Sequence, residues 1–387
     1  MKRIAEIDRL RGLCIVSMLL GHLAKDTMLS KVVHLPLWVD GAMGFVMASG
    51  VVVGIVRHRS LTSGRSLAQV TAQTWRRAAQ LWLIFVVVVV VSVGLRDVTG
   101  RGTMTPTAQQ FGGWARLIVD TLTLQQSLRY IDLLTVYVFA LLMAPLMFGL
   151  LLRRNGALLV GLVAGGFYVL DLIVPLSAFR LENSAVIDGQ VRIAQVVVAT
   201  RWFSLFAVGL IMGWHWPTVD RWLRRRFVTV GLVASTVVLT VVARVTDERG
   251  MVPPSWIIDK VTLAPGTFVF AVIAVLALLR LLQTRTPSLD RPISADGPAA
   301  SIRSGFGSAV GAIEVLGRFS LSAYVIHLVV IQLADLTVGM PTGSGLGLLL
   351  VVVSLLAAFG WAWLRNRPMI NLPAVVSTSG RSTARSQ

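Results

Sequence analysis

The sequence predicts an all-α integral membrane protein that crosses the bilayer about ten times, with both termini in the cytoplasm. Three observations carry that expectation. The 387 residues are 55% hydrophobic and only 14% charged, with a mean hydropathy of +0.75. A soluble domain carries roughly 25% charged residues, so there is too little polar surface here to face water. Apolar runs of about 17–25 residues, enough to cover a hydrocarbon core roughly 30 Å thick, recur between short charged stretches. The basic residues are also distributed unevenly between alternate connections, as they are in multi-pass proteins.

The predicted spans are residues 7–24, 37–56, 78–95, 131–152, 156–176, 200–216, 227–243, 261–282, 311–336 and 344–364. The third holds the run Val86 to Val91, which would favour a strand in water. In lipid the backbone must satisfy its own hydrogen bonds, so helix is expected. With the N-terminus inside, the inner segments carry about 23 of the 36 basic residues and the outer ones about 12. Residues 1–367 form one polytopic membrane domain. Within it, 283–310 reads as a Pro/Ser/Gly/Ala-rich cytoplasmic linker, and the Ser/Thr/Arg-rich tail 368–387 reads as disordered. In the long outer loop 96–130, Trp114, Leu117, Ile118 and Leu122 are spaced like an interfacial helix.

Several function classes are excluded early. The formal charge of +18 comes mostly from arginines flanking apolar spans, a topology signal rather than a nucleic-acid surface. Cys14 is the single cysteine, which rules out an intramolecular disulfide and a cysteine-based metal centre. The five histidines lack zinc-ligand spacing, so no metal is expected. Gly12–Ala24 is long enough to mimic a signal peptide, but Asp8, Arg9 and Arg11 press against it, and a retained first helix is the better reading. The chain has 32 arginines but only four lysines. That bias suggests a GC-rich bacterial genome and a place in the bacterial inner (plasma) membrane.

Polar groups at membrane depth are costly, and each calls for a reason. The first span holds Asp8-Arg9-Leu10-Arg11-Gly12 and then His22. Arg11 and His22, eleven residues apart, fall on one helical face about 16 Å apart along the axis. This puts a fixed cation near the inner surface and a titratable base deeper along the same face. Tyr324 and His327 likewise share a face; they serve either interhelical hydrogen bonding or a site. Asp132 opens the fourth span as a cap or a ligand. Ser49 beside Gly50 suits close helix packing. Glu314 and Arg318, four apart, are expected to pair.

Arg-x10-His preceded by Asp-x-Leu-Arg-Gly resembles the membrane acyltransferase-3 superfamily, and within it the OpgC branch of glucan succinyltransferases. The resemblance extends in order over residues 5–335. It includes Asp40-Gly41-Ala42 with Phe45 to Gly50, Tyr130 to Tyr137 ending at Pro145, Trp202 to Gly213, and Leu316 to His327. Met43 and Phe203 stand where the branch usually has an acidic residue and a glutamine. The resemblance implies transfer of an acyl group from cytoplasmic acyl-CoA to a hydroxyl of an extracytoplasmic envelope glycan, succinyl first and acetyl next. No bound cofactor is implied, because acyl-CoA is the donor substrate.

In that scheme His22 is the general base and Asp40 orients it. Asp8, Arg11, Arg76 and Arg77 belong to the donor site, where guanidinium groups suit phosphates. Arg76 and Arg77 would serve equally as topology anchors. Asp132, Tyr324 and His327 are assigned to the acceptor. The partners expected are membrane lipid, acyl-CoA and the glycan. The alternative, a transporter or flippase of a polar lipid or glycan precursor, predicts internal repeats, and the two halves show none. A scaffold without chemistry would leave Arg11 and His22 unexplained.

Overall fold

The computed structural model describes residues 4–102, 104–174, 180–187, 190–284, 309–339 and 345–365. The predicted tail 368–387 and nearly all of the predicted linker 283–310 lie outside these. Among the described residues, eight helices are long and apolar enough to cross a membrane. They are α3 (Gly41–Thr62), α4 (Leu67–Thr99), α6 (Asp132–Leu151), α7 (Gly156–Ile173), α10 (Arg226–Glu248), α11 (Pro265–Thr284), α13 (Ser320–Thr337) and α14 (Gly345–Arg365).

The two remaining expected spans are present as helices with a different character. The first, α1 (Ala5–Leu23), carries Glu6, Asp8, Arg9 and Arg11 and is walled in by its neighbours. The other, α8 (Ala199–Trp214), has 16 residues, and nearly all of them are buried. Helices walled in by protein need no lipid-compatible surface, so they can be shorter or more charged than a lipid-facing span.

The predicted ninth span, 311–336, is a pair of helices rather than one. α12 (Ala309–Arg318) ends where Phe319 leaves helical geometry (φ −107°, ψ 20°), and α13 begins at Ser320. α4 is longer than its predicted span 78–95. Its 33 residues begin with a Ser66/Gln69 capping box and extend about 50 Å. Arg76 and Arg77, expected in a connection, therefore lie on the exposed side of this helix.

Short helices fill the connections: α2 (Met28–Val33), α5 (Trp114–Leu122) and α9 (Trp216–Leu223). Leu117 of α5 is buried while Trp114, Ile118 and Leu122 are exposed, the one-sided burial expected of an interfacial helix. The connections before α6 and α8 form a small sheet, which the all-α expectation did not include. β1 (Gln126–Leu128) runs parallel to β2 (Arg180–Ile187), which pairs antiparallel with β3 (Gln190–Val198).

Glycines set the closest approaches. Gly50 and Gly54 of α3 meet the carbonyls of Phe206 and Leu210, while Gly209 and Gly213 of α8 meet those of Met47 and Val51. Each helix thus offers a Gly-x-x-x-Gly face to the other, the arrangement that lets backbones touch where lipid supplies no hydrophobic drive between helices. Ser49, the residue before Gly50, is fully buried.

α1 crosses α12 in the same manner. Gly12 faces the Ile313 carbonyl and Gly317 faces that of Asp8. Glu314 then receives Arg9 at 3.3 Å and Arg318 at 2.6 Å, so the expected Glu314–Arg318 pair recruits a third charge from α1. Replacing Gly213 with Leu forces a side chain into the α8–α3 backbone contact. The expected result is a loss of about 3 kcal/mol or more, read as a collapsed monodisperse peak on detergent size-exclusion. The exposed Gly231→Leu in α10, where a side chain meets open space, should be tolerated.

Arg77 lies within electrostatic reach of Arg11, Tyr137 and Arg365. The start of α1 and the end of α14 therefore share one end of the bundle.

Candidate functional site

At the opposite end of the bundle, where α1 finishes and α3 and α6 begin, an open cavity of about 140 Å³ enters the protein. His22, Asp40, Tyr130, Asp132, Lys260 and Tyr324 give its wall chemical character, and Met18, Leu133, Val136 and Trp202 supply its apolar side. These residues come from five helices or their flanks and from the segment 254–264.

His22 is the last-turn residue of α1. Its Nδ1 lies 3.1 Å from Nε2 of His327, and the two rings stack with centroids 5.0 Å apart. His327 is fully buried, and its Nδ1 makes no hydrogen bond among the described residues. With Nδ1 of His22 engaged, Nε2 is the ring nitrogen left for the cavity. A hydrogen bond between two neutral imidazoles needs one donor and one acceptor, so the tautomers are coupled. If His22 carries its proton on Nδ1 and donates to His327, its Nε2 holds a free lone pair, the state a general base requires.

Tyr130 packs its ring 4.2 Å from that of His22 and holds a left-handed backbone conformation (φ 73°). Such a conformation costs a non-glycine residue about 1–3 kcal/mol and must be held by its surroundings. The Tyr324 hydroxyl donates to the Tyr130 carbonyl at 2.8 Å, and the Arg129 guanidinium lies 5.1 Å from the Tyr130 ring centroid. Burial pushes the Tyr130 phenol above the ordinary tyrosine range, so it remains a neutral donor. Tyr324→Phe should leave the fold intact while releasing this clamp, with a stability cost of about 1 kcal/mol and a roughly tenfold loss of turnover. Thermal unfolding measured beside activity checks both.

Asp40 is the N-cap of α3, its Oδ1 accepting from the amides of Ala42 and Met43 at 3.1 and 3.2 Å. Asp132 sits in the first turn of α6 and faces the same cavity. The expected base, its expected carboxylate neighbour and the expected acceptor residues Asp132, Tyr324 and His327 are thus gathered at one place. The group that holds the His22 ring, however, is His327 rather than Asp40. Met43 and Phe203, the departures from the branch pattern, are buried and do not line the cavity.

The expected donor residues lie at the other end. Arg11 places Cζ 5.7 Å from the Phe45 ring centroid, with its Nε buried and unpartnered. Arg57 and Arg77 each lie within electrostatic reach of Tyr137, and Arg11 and Arg365 lie within reach of Arg77. Asp8 is buried at the α1–α12 crossing. Arg76 makes no described contact with this cluster. A run of aromatic contacts joins the two ends: Phe45 stacks on Tyr324 at 6.1 Å, and Tyr324 meets His327 edge-on at 5.9 Å.

Lys260, Trp202 and Tyr130 are cavity residues that sequence reasoning did not assign to the site. Trp202 donates to the Val261 carbonyl at 2.9 Å, and Tyr168 donates to that of Leu263 at 2.7 Å. These bonds hold the Lys260 segment against the helices. One signal was available for Lys260: it is the only lysine after position 31. Among the described residues there is no group of three or more His, Cys, Asp and Glu suited to a metal ion.

The architecture and site together define a polytopic membrane protein with a polar reaction-sized cavity built on a histidine pair. The family model described as OpgC protein matches residues 3–369. The chain therefore belongs to the OpgC family, and membership points to a membrane acyltransferase that acts on glucans. No curated protein and no solved structure matches it.

Proposed function

We propose that the protein is a transmembrane O-acyltransferase of the acyltransferase-3 superfamily. In this reading it moves an acyl group, succinyl first and acetyl next, from cytoplasmic acyl-CoA to a hydroxyl of an extracytoplasmic envelope glycan. The observation that carries the proposal is the two-ended arrangement along α1. A guanidinium cluster around Arg11 stands at one end, and a histidine-lined cavity opens about 16 Å further along. An anionic carrier suits the first, and a neutral sugar hydroxyl suits the second.

The positive-inside rule assigns the arginine end to the cytoplasm and the cavity to the outer face of a bacterial inner membrane. Arg11, Arg57, Arg77 and Arg365 hold the phosphates of the donor, and the acyl-bearing arm lies along Phe45 and Tyr324 towards His22. His22 Nε2 takes the proton of the acceptor hydroxyl as its oxygen attacks the thioester carbonyl. The new C–O ester bond forms, the C–S bond breaks, and the proton passes to the departing thiolate to give free CoA. His327 is a positioning residue, fixing the tautomer and ring plane of His22 and accepting from its Nδ1–H throughout. The lining carboxylates Asp40 and Asp132 accept from sugar hydroxyls.

Sidedness tests the proposal. Proteoliposomes are prepared with glucan sealed inside and acyl-CoA added outside, and only the vesicles with the arginine end outward contribute. Ester on the sealed glucan, made without leakage of either substrate, is the expected result. Ester formed only when both substrates share one compartment contradicts transfer across the membrane.

A further inference from the structure

We propose that Lys260 reads the free carboxylate of a dicarboxylic acyl group, and so makes the protein selective for an anionic donor. This deepens the acyltransferase reading and rests on it.

The cavity wall holds two carboxylates, Asp40 and Asp132, and a single ammonium, Lys260. A monocarboxylic acyl group carries no charge and asks nothing of a cation. A dicarboxylic one brings a permanent negative charge beside two acidic side chains, and like charges in a partly desolvated site exclude it unless a cation compensates. Lys260 makes no hydrogen bond or ion pair with any described residue. Its neighbour Asp259 is committed elsewhere, accepting from the Val261 amide at 2.9 Å and the Thr262 hydroxyl at 2.8 Å. Lys260 is an exposed residue on the cavity wall, open to a ligand.

The segment that carries it is braced beyond what a connection needs. Trp202 and Tyr168 clamp the carbonyls of Val261 and Leu263, and the Gly266 amide closes onto the Ile257 carbonyl at 2.8 Å. Leu263 is held in a left-handed conformation (φ 54°), which only surrounding contacts sustain.

Size agrees. A cavity of about 140 Å³ is close to the volume that admits one benzene-sized guest in a protein interior. It accommodates a short four-carbon diacid but not a sugar ring as well, which leaves the acceptor at the mouth. Transfer leaves the distal carboxylate unchanged. The proximal carbonyl exchanges its sulfur for the acceptor oxygen, and the hydroxyl proton ends on the thiol.

The test compares succinyl-CoA with butyryl-CoA, which has the same chain length without the charge, on a neutral glucan and on a uronate-bearing one. Purified full-length wild type, Lys260→Ala and Lys260→Arg are assayed. Wild type should prefer succinyl-CoA. Lys260→Ala should lower the succinyl-to-butyryl ratio of kcat/KM by about tenfold to a hundredfold, the loss of one charged hydrogen bond. Lys260→Arg should restore most of it. An unchanged ratio in Lys260→Ala, or a wild type that uses both donors equally, overturns the proposal while leaving the acyltransferase reading intact. A ratio that moves with the charge of the glucan rather than that of the donor also overturns it, assigning Lys260 to the acceptor. Absence of turnover with every donor removes the acyltransferase reading, and this proposal with it.

Discussion

His22→Ala is expected to abolish acyl transfer, with kcat falling by about 10²- to 10⁴-fold, the range contributed by a positioned general base. The variant should fold normally. His22 is half-buried on the cavity wall rather than packed in the core, and losing its ring leaves the backbone hydrogen bonds of α1 untouched. KM for the donor should change little, because the arginine cluster stands about 16 Å away on the same helix. His22→Gln keeps a polar group of similar reach but cannot take a proton, so it should be as inactive as the alanine variant. A variant with near-normal turnover would remove the base from the mechanism, whatever else the cavity does.

The second large effect concerns His327. Among the described residues its hydrogen-bond contact is the 3.1 Å approach to His22 Nδ1, so its loss should act through the tautomer of His22. Orienting groups of this kind can be worth up to about 10⁴-fold in kcat when the wrong tautomer results. His327→Leu should cost about a hundredfold or more in kcat with KM nearly unchanged. His327→Gln presents an amide oxygen as acceptor for the same Nδ1–H and should regain a large part of the loss. A purely structural role would lower stability in both variants and would show no rescue by Gln. Proton transfer through His327 predicts a third pattern, in which Gln is as inactive as Leu.

How much of this was legible in the sequence depends on what each signal physically reports. Lipid-facing helices announce themselves, since most of α10 and α14 faces outward and must present apolar side chains to hydrocarbon. The enclosed helices were legible as the spans 7–24 and 200–216, but their enclosure was not: most of α1 and nearly all of α8 is buried against neighbouring helices. The break at Phe319 was hidden inside one apolar run. α12 seats on α1 through the Gly12–Ile313 and Gly317–Asp8 contacts, which no one-dimensional pattern contains.

At the site, Arg11 and His22 could be placed on one face by counting residues, since both belong to one helix. The His22–His327 pair could not, because its members are 305 positions apart and only the folded bundle joins them. The role expected of Asp40 illustrates the same gap. Proximity to the base was a fair expectation, but the carboxylate also had to cap α3, and the ring nitrogen it was meant to hold belongs to His327. Lys260 lies in a connection without periodicity, where position relative to a cavity has no sequence signature.

The most direct test of the central claim is CoA thiol release by the purified protein in detergent, across a panel of acyl-CoA donors, with and without glucan, for wild type and His22→Ala. Wild type should release thiol with at least one donor, stimulated by glucan, and the folded variant should release none above background. Equal release by both proteins, or none from wild type with any donor in the presence of glucan, would contradict it.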